Sequence, residues 1–294
     1  MSVARNLSHK VGGICALAIA LFYLVAPAYW MVKSSVSPDA ELRMVPPPLL
    51  PKALTFDHFK VILQLPGFDA QLLRQNIELK FFPKAMGNSL IVASASTVVA
   101  TFLGAVSAYS LCRFVRPRTR KWVMLGLLVS RMLPLISILI PIYMMLLATG
   151  LLDTITGLIV VYSGLLLPFV IWILEGFYRQ FPTELEEAAV IDGASKFVVF
   201  TKVVMPLSWN GLFAAGVFVF ISVWSDFMVG FIMTNTERAY TLSVVVARNL
   251  SSWREPDWGV LNAAGVSAAL VPIVLAFVLR GLVAGGRLAG ALKG

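Results

Sequence analysis

The sequence predicts an all-α fold, a polytopic membrane protein with six transmembrane helices, and three observations carry that prediction. Of 294 residues, 59% are hydrophobic and only 13% charged, with a mean hydropathy of +0.84, which is more apolar surface than one globular core of that length can hide. The apolar residues fall into runs of about 20, the length that crosses a bilayer at helical rise. The basic residues cluster in the short links between those runs, as the positive-inside rule expects of loops in the cytoplasm.

The six spans are Val11 to Val32, Gly87 to Cys112, Trp122 to Ala148, Thr156 to Tyr178, Gly211 to Met233 and Gly259 to Leu282. Arg113, Arg116, Arg118, Arg120 and Lys121 crowd the link between the second and third, which places that link inside. An even number of spans then puts both termini inside. Ala26-Pro27-Ala28 mimics a signal-peptidase site, but its run is longer than an apolar signal core, so the first helix is expected to remain uncleaved. The expected organisation is a cytoplasmic N-terminus (1–10), a six-helix transmembrane domain (11–282) and a cytoplasmic tail (283–294). Within the domain lie an outer loop at 33–86, an inner loop at 179–210 and another outer loop at 234–258. The first outer loop is proline-rich at Pro46, Pro47, Pro48 and Pro51, and Thr55-Phe56-Asp57-His58-Phe59 reads as the start of a short interfacial helix.

Several function classes are disfavoured at once. The net charge of +9 is spread between apolar runs rather than gathered in one aromatic-laced patch, so nucleic acid is not an expected partner. Cys15 and Cys112 sit inside apolar stretches and build no disulfide framework. His9 and His58 lack ligand-spaced neighbours, so no metal site is expected. No catalytic constellation emerges either, and no G-x-x-x-x-G-K-[ST] sequence occurs, so ATP is not expected to bind this chain in a P-loop. Ser96, Ala100, Gly104 and Ala108 recur on one helix face, and Gly265 and Ala269 do so later. Small residues at that spacing let helices approach closely or line a path. Prolines at Pro27, Pro134, Pro141, Pro168 and Pro272 interrupt several spans, as neighbouring helices or water can tolerate.

The inner loop is the most explicit segment. Thr183 and Glu186 have capping-box spacing, three acids occupy the first turns, and Gly193 supplies a left-handed stop. A second helix follows with Ser195 as N-cap, Phe197, Phe200, Thr201 and Val204 on one face, and Pro206 near its end. The pair has an apolar stripe that needs a partner surface.

Glu187-Ala188-Ala189, then Gly193, then Val203, Val204, Met205 and Pro206 resemble the EAA loop of binding-protein-dependent ATP-binding-cassette (ABC) importers, E-A-A-x3-G-x9-I-x-L-P, with Val203 and Met205 as conservative departures. Gly87-Asn88-Ser89, Gly150-Leu151-Leu152-Asp153-Thr154, Trp224-Ser225-Asp226-Phe227 and the ending Gly290-Ala291-Leu292-Lys293-Gly294 resemble the smaller permease of the maltose-type, carbohydrate-uptake branch. That resemblance implies a coupling role for Glu187, Ala188, Ala189, Asp192, Gly193 and Pro206, docked on an ATPase. It implies a bacterial inner membrane, a second and different permease, a homodimeric ATPase that binds ATP and magnesium, and an external solute-binding protein. Family members often carry asparagine where Ser225 stands.

A non-sugar importer is the alternative within the class, and a secondary transporter or channel lies outside it. The latter would need partnered ionisable groups at mid-membrane. Glu175 lies four residues before Arg179 and reads as a local ion pair. Arg131, about 15 Å along the helix from Lys121 by its rise, is either a functional buried charge or bonded to neighbouring carbonyls. For the solute path the candidates are Trp224, Ser225 and Asp226, with Asn88, Arg131 and Asn262 weaker. A carboxylate facing lipid there would cost on the order of 2.5 to 3.5 kcal/mol, so Asp226 is expected to face a cavity or a subunit interface. The competing reading makes Trp224 an interfacial anchor and Asp226 a structural ion pair.

Overall fold

In the computed structural model, which describes residues 2–250 and 256–284, every regular element among the described residues is helical. In chain order these are α1 (Ser2–Ser35), α2 (Asp39–Leu42), α3 (Asp57–Leu63), α4 (Ala70–Gln75), a 3₁₀ turn (Ile77–Phe81), α5 (Phe82–Phe114), α6 (Pro117–Ser130), α7 (Leu135–Ala148) and α8 (Ile155–Tyr178). Then come α9 (Glu184–Ile191), α10 (Lys196–Val199), a π-helical turn (Phe200–Val204), α11 (Met205–Leu207), α12 (Trp209–Ser225), α13 (Met228–Met233), α14 (Leu242–Leu250) and α15 (Trp258–Ala284). Among the described residues four helices are long and apolar enough to cross a membrane, or six when two bent pairs, Pro117–Ser130 with Leu135–Ala148 and Lys196–Leu207 with Trp209–Ser225, each count as one span. The ending Gly290 to Gly294, nearly all of the expected tail 283–294, and positions 251–255 of the loop expected at 234–258 lie outside the described residues.

One compact unit comprises Met1–Pro83 and Val245–Gly294. Its frame is α1 against α15. At Gly265 the absent side chain lets Met31 approach, with Sδ 3.0 Å from where a Cβ would stand. Helix α3 packs on α15 and buries His58, Val61 and Ile62. The proline-rich segment is tied down by polar groups: Lys52 and Ala53 donate their amides to the Glu41 carboxylate at 3.1 and 3.2 Å, and Tyr29 donates to the Leu49 carbonyl. Asn249 donates to Asn76 Oδ1 at 3.1 Å, and Arg248 pairs with Glu78 at 3.5 Å. Along α1 large apolar side chains are exposed, Leu24 by 78%, the surface a helix presents to lipid.

The other unit comprises Lys84–Val244. The small-residue face of α5 is a packing face: Ser96, Ala100 and Ala108 are fully buried, and a Cβ at Gly104 would overlap Val170 of α8. The α8 start is built locally. Gly150 turns with φ +70°, the Thr154 hydroxyl accepts the Gly157 amide at 3.0 Å and donates to the Leu151 carbonyl at 2.7 Å, and that carbonyl fills the space a Cβ at Gly157 would need. Asp153, with φ +59°, accepts the Asn235 and Thr236 amides at 2.8 and 3.1 Å and the Thr236 hydroxyl at 2.6 Å.

Two expected spans are not continuous. The third, Trp122 to Ala148, divides into α6 and α7 at an angle of 92°. Pro134 lacks an amide and disfavours helix at the residue before it, and Arg131, which caps α6, sends Nη1 to the Leu165 carbonyl at 2.7 Å. The fifth, Gly211 to Met233, breaks at Asp226, whose ψ of 134° leaves the helix. There the carboxylate takes over a backbone bond: Asp226 Oδ1 accepts the Val229 amide and the Tyr162 hydroxyl, each at 2.9 Å.

Candidate functional site: the loop between α8 and α12

Helix α9 is held to the spans by its second acid. Glu186 accepts from the Tyr109 hydroxyl at 2.9 Å and pairs with Arg113 at 2.7 Å. Arg113 also reaches the Tyr178 and Phe181 carbonyls at 3.3 and 3.4 Å. The pair is mostly sheltered, with side-chain exposures of 15% for Arg113 and 13% for Glu186. This geometry corrects the expected capping box. Thr183 has helical angles and makes no side-chain cap, and Glu186, the other half of the box, is engaged by Arg113 and Tyr109 instead.

The end of α9 follows the sequence closely. Gly193 has φ +85°, its amide bonds the Val190 carbonyl, and the Ala194 amide bonds the Ala189 carbonyl, both at 2.9 Å, the paired bonds of a Schellman stop. Ser195 accepts the Val198 amide at 3.4 Å. The next face divides in two: Phe200 and Val204 are buried, whereas Phe197 is 75% exposed, so the expected single stripe is corrected. Phe200 lies 5.0 Å from the Tyr109 ring and Lys196 sits 4.7 Å over the Phe114 ring. Proline at 206 cannot donate to a carbonyl one turn back, and the π-helical turn precedes it.

What the loop leaves outward is apolar and acidic together. Leu185, Val190 and Ile191 are exposed, Ile191 by 85%, as are Glu187, Ala188, Asp192, Gly193 and Pro206, while Ala189 is half-buried. The free face of α9 thus carries apolar and acidic side chains together, while Glu186 anchors the other face.

The structure separates the solute-path candidates. Trp224 is 6% exposed and stacks on Phe220 at 6.1 Å. Asn88 donates to the Arg238 and Tyr240 carbonyls at 3.2 and 3.0 Å. Asn262 donates to the Trp258 carbonyl of its own helix. Arg131 and Asp226 are engaged at the two breaks, and Ser225 is exposed at the end of α12. Glu175 pairs with Arg179 at 3.8 Å and also with Arg120 at 3.4 Å. Sequence reading missed Tyr109, Arg113 and Arg120 as partners: the two arginines stood in a basic cluster used only for topology. It also read His58 as isolated, whereas Asp39 and Asp257 converge on it, from positions too distant for any spacing rule.

An all-helical chain with up to six membrane spans, two of them bent, and an anchored amphipathic helix between two spans is the architecture of a polytopic transport subunit. The chain belongs to the binding-protein-dependent transport system inner membrane component family, whose pattern matches residues 100–285. It is 29% identical to the trehalose/maltose transport system permease MalG of Thermococcus litoralis over 99% of this chain and 98% of that one. It is 32% identical to the trehalose transport system permease SugB of Mycobacterium tuberculosis over 92% and 93%. The fold is similar to a chain in the crystal structure of a bacterial ABC transporter that imports the acidic polysaccharide alginate, with a TM-score of 0.76, 18% identity, and coverage of 94% of this chain and 96% of that one.

Proposed function

We propose that this permease subunit passes a sugar or sugar-like solute across the inner membrane by alternating access driven by a partner ATPase. The observation that carries the ATPase link is the α9 surface: apolar Leu185 and Ile191 beside Glu187, exposed on one face and clamped through Glu186 on the other. Glu187, Ala188, Ala189 and Asp192 form the docking helix, Gly193 permits the bend after it, and Pro206 ends the second helix of the pair. The sugar class rests on the likeness to permeases named for trehalose and maltose over nearly the whole chain. The loop and both termini lie in the cytoplasm, an orientation supported by the five cations between Arg113 and Lys121. A second, different permease, a homodimeric ATPase that binds ATP and magnesium, and an external solute-binding protein complete the assembly.

The solute path passes the break after Ser225. Interrupted spans are where transporters place binding groups near the bilayer middle, and the exposed Ser225 hydroxyl is a neutral group suited to a sugar hydroxyl. Trp224, Asn88, Arg131 and Asn262 are spent on contacts within the chain and shape the path rather than touch solute. Reconstitution with the partner ATPase, second permease and solute-binding protein, and uptake of labelled disaccharides by vesicles loaded with ATP, tests the reading. Uptake abolished by an inactive ATPase supports it. Transport that persists without the ATPase, or that accepts only non-sugar solutes, refutes it.

A further inference from the structure

In the unit formed by Met1–Pro83 and Val245–Gly294, Asp39 of α2, His58 of α3 and Asp257 just before α15 bring their ligand atoms within 4.8 Å of one another. His58 is 2% exposed. Its Nδ1 is 3.1 Å from the Ser35 carbonyl oxygen, which can only accept, so Nδ1 carries the ring proton. Nε2 then faces Asp39 Oδ1 at 2.9 Å, acceptor against acceptor. A proton or a metal ion must therefore stand between Nε2 and the carboxylate.

Three further features suit the metal. The Ser35 carbonyl is the outer-shell partner that fixes a ligand histidine in the tautomer with a free Nε2. Gly259 packs its backbone on the Cε1–Nε2 edge of the ring, where a Cβ would overlap both atoms, so a glycine there lets the ring keep this position. Asp257 spends Oδ1 on the Val260 amide at 3.0 Å, which leaves its other oxygen for a second partner. Beside the two carboxylates an open cavity of about 520 Å³, lined also by Leu42, Arg43 and Trp258, has room for water at the remaining coordination positions. One neutral imidazole and two carboxylates are nitrogen and oxygen donors of the types zinc takes, with positions left open for water, and the imidazole favours a transition dication over calcium or magnesium.

We propose that Asp39, His58 and Asp257 bind a zinc-type divalent cation, a site that shares no residue with the α8–α12 loop or the solute-path candidates. The test uses the assembled transporter, stripped with chelator, incubated with zinc, desalted and analysed for metal. Wild type is expected to retain one zinc per copy of this chain beyond any held by its partners. His58→Gln and Asp39→Asn are expected to lose that equivalent, with affinity at least about a hundredfold weaker, and calcium or magnesium is not retained. Equal zinc content in wild type and both variants overturns the proposal. Where a variant does not assemble, X-ray absorption of wild type at substoichiometric zinc decides: an imidazole-plus-oxygen shell supports the site, and a shell without imidazole overturns it.

Discussion

Glu186→Ala removes the acceptor for Tyr109 and the counter-charge for Arg113 in one step. Breaking a buried pair by deleting one partner costs about 3–5 kcal/mol. The side chains retain 15% and 13% exposure, which scales the ionic share toward about 2 kcal/mol, and the lost bond from Tyr109 to a charged acceptor adds about 1 kcal/mol to that loss. The expected loss of about 3 kcal/mol is roughly a hundredfold shift in the ratio of docked to undocked α9. In proteoliposomes containing the full transporter, the solute moved per ATP hydrolysed should fall while the subunit still inserts. Protease should also cut more readily between Phe181 and Gly193. Glu186→Gln keeps an acceptor for Tyr109 and should lose less, and the exchange Arg113→Glu with Glu186→Arg should recover part of the ratio. A Glu186→Ala transporter with wild-type stoichiometry and wild-type protection refutes the clamp as the connection between α9 and the spans.

Gly193→Val forces a β-branched residue into φ +85° at a cost of about 1–2 kcal/mol, and uptake should fall with assembly intact by size-exclusion chromatography. Gly157→Ala places a methyl on the Leu151 carbonyl and should destabilise by about 1–3 kcal/mol, read as a lowered melting temperature in detergent. Burial pushes the Asp153 carboxyl up, but the bonds from Thr236 and Asn235 outweigh it and hold it below its ordinary 3.8. A lowered native value means the unfolded chain takes the proton first. The contribution is therefore fully present above pH 3.8 and lost as pH falls through the native value, and Asp153→Asn should flatten that acid limb of melting temperature against pH. Asp226→Ala removes the acceptor for Tyr162 and the Val229 cap, and should lower assembly by about 1–2 kcal/mol without changing which solute is preferred. A changed preference would make that carboxylate a solute contact.

Much of the fold was legible because its signals are local. Apolar run length gave α1, α5, α8 and α15, and Gly193 and Ser195 delimit the helix pair by conformational preferences that need no tertiary context. The breaks were not legible to the same degree. Pro134 sat in view, yet proline inside a span bends it by an amount set by neighbours, here the Leu165 carbonyl that draws Arg131 in. Asp226 likewise read as one more residue of a helix because its capping of Val229 depends on a turn that Tyr162 of α8 helps hold. Glu186 satisfied the capping-box spacing, but two long-range donors compete with the Thr183 backbone and win. Convergence of Asp39 and Asp257 on His58 is tertiary throughout.

Both interruptions close on the same helix. Arg131 donates to Leu165 and Asp226 accepts from Tyr162, residues three apart on α8. In hydrocarbon a broken helix exposes amides and carbonyls at several kcal/mol each unless neighbours supply partners. Here α8 supplies polar company at the joints between α6 and α7 and between α12 and α13. One side chain at each joint thus finds its polar partner on α8, so a single helix is the common support of both bends.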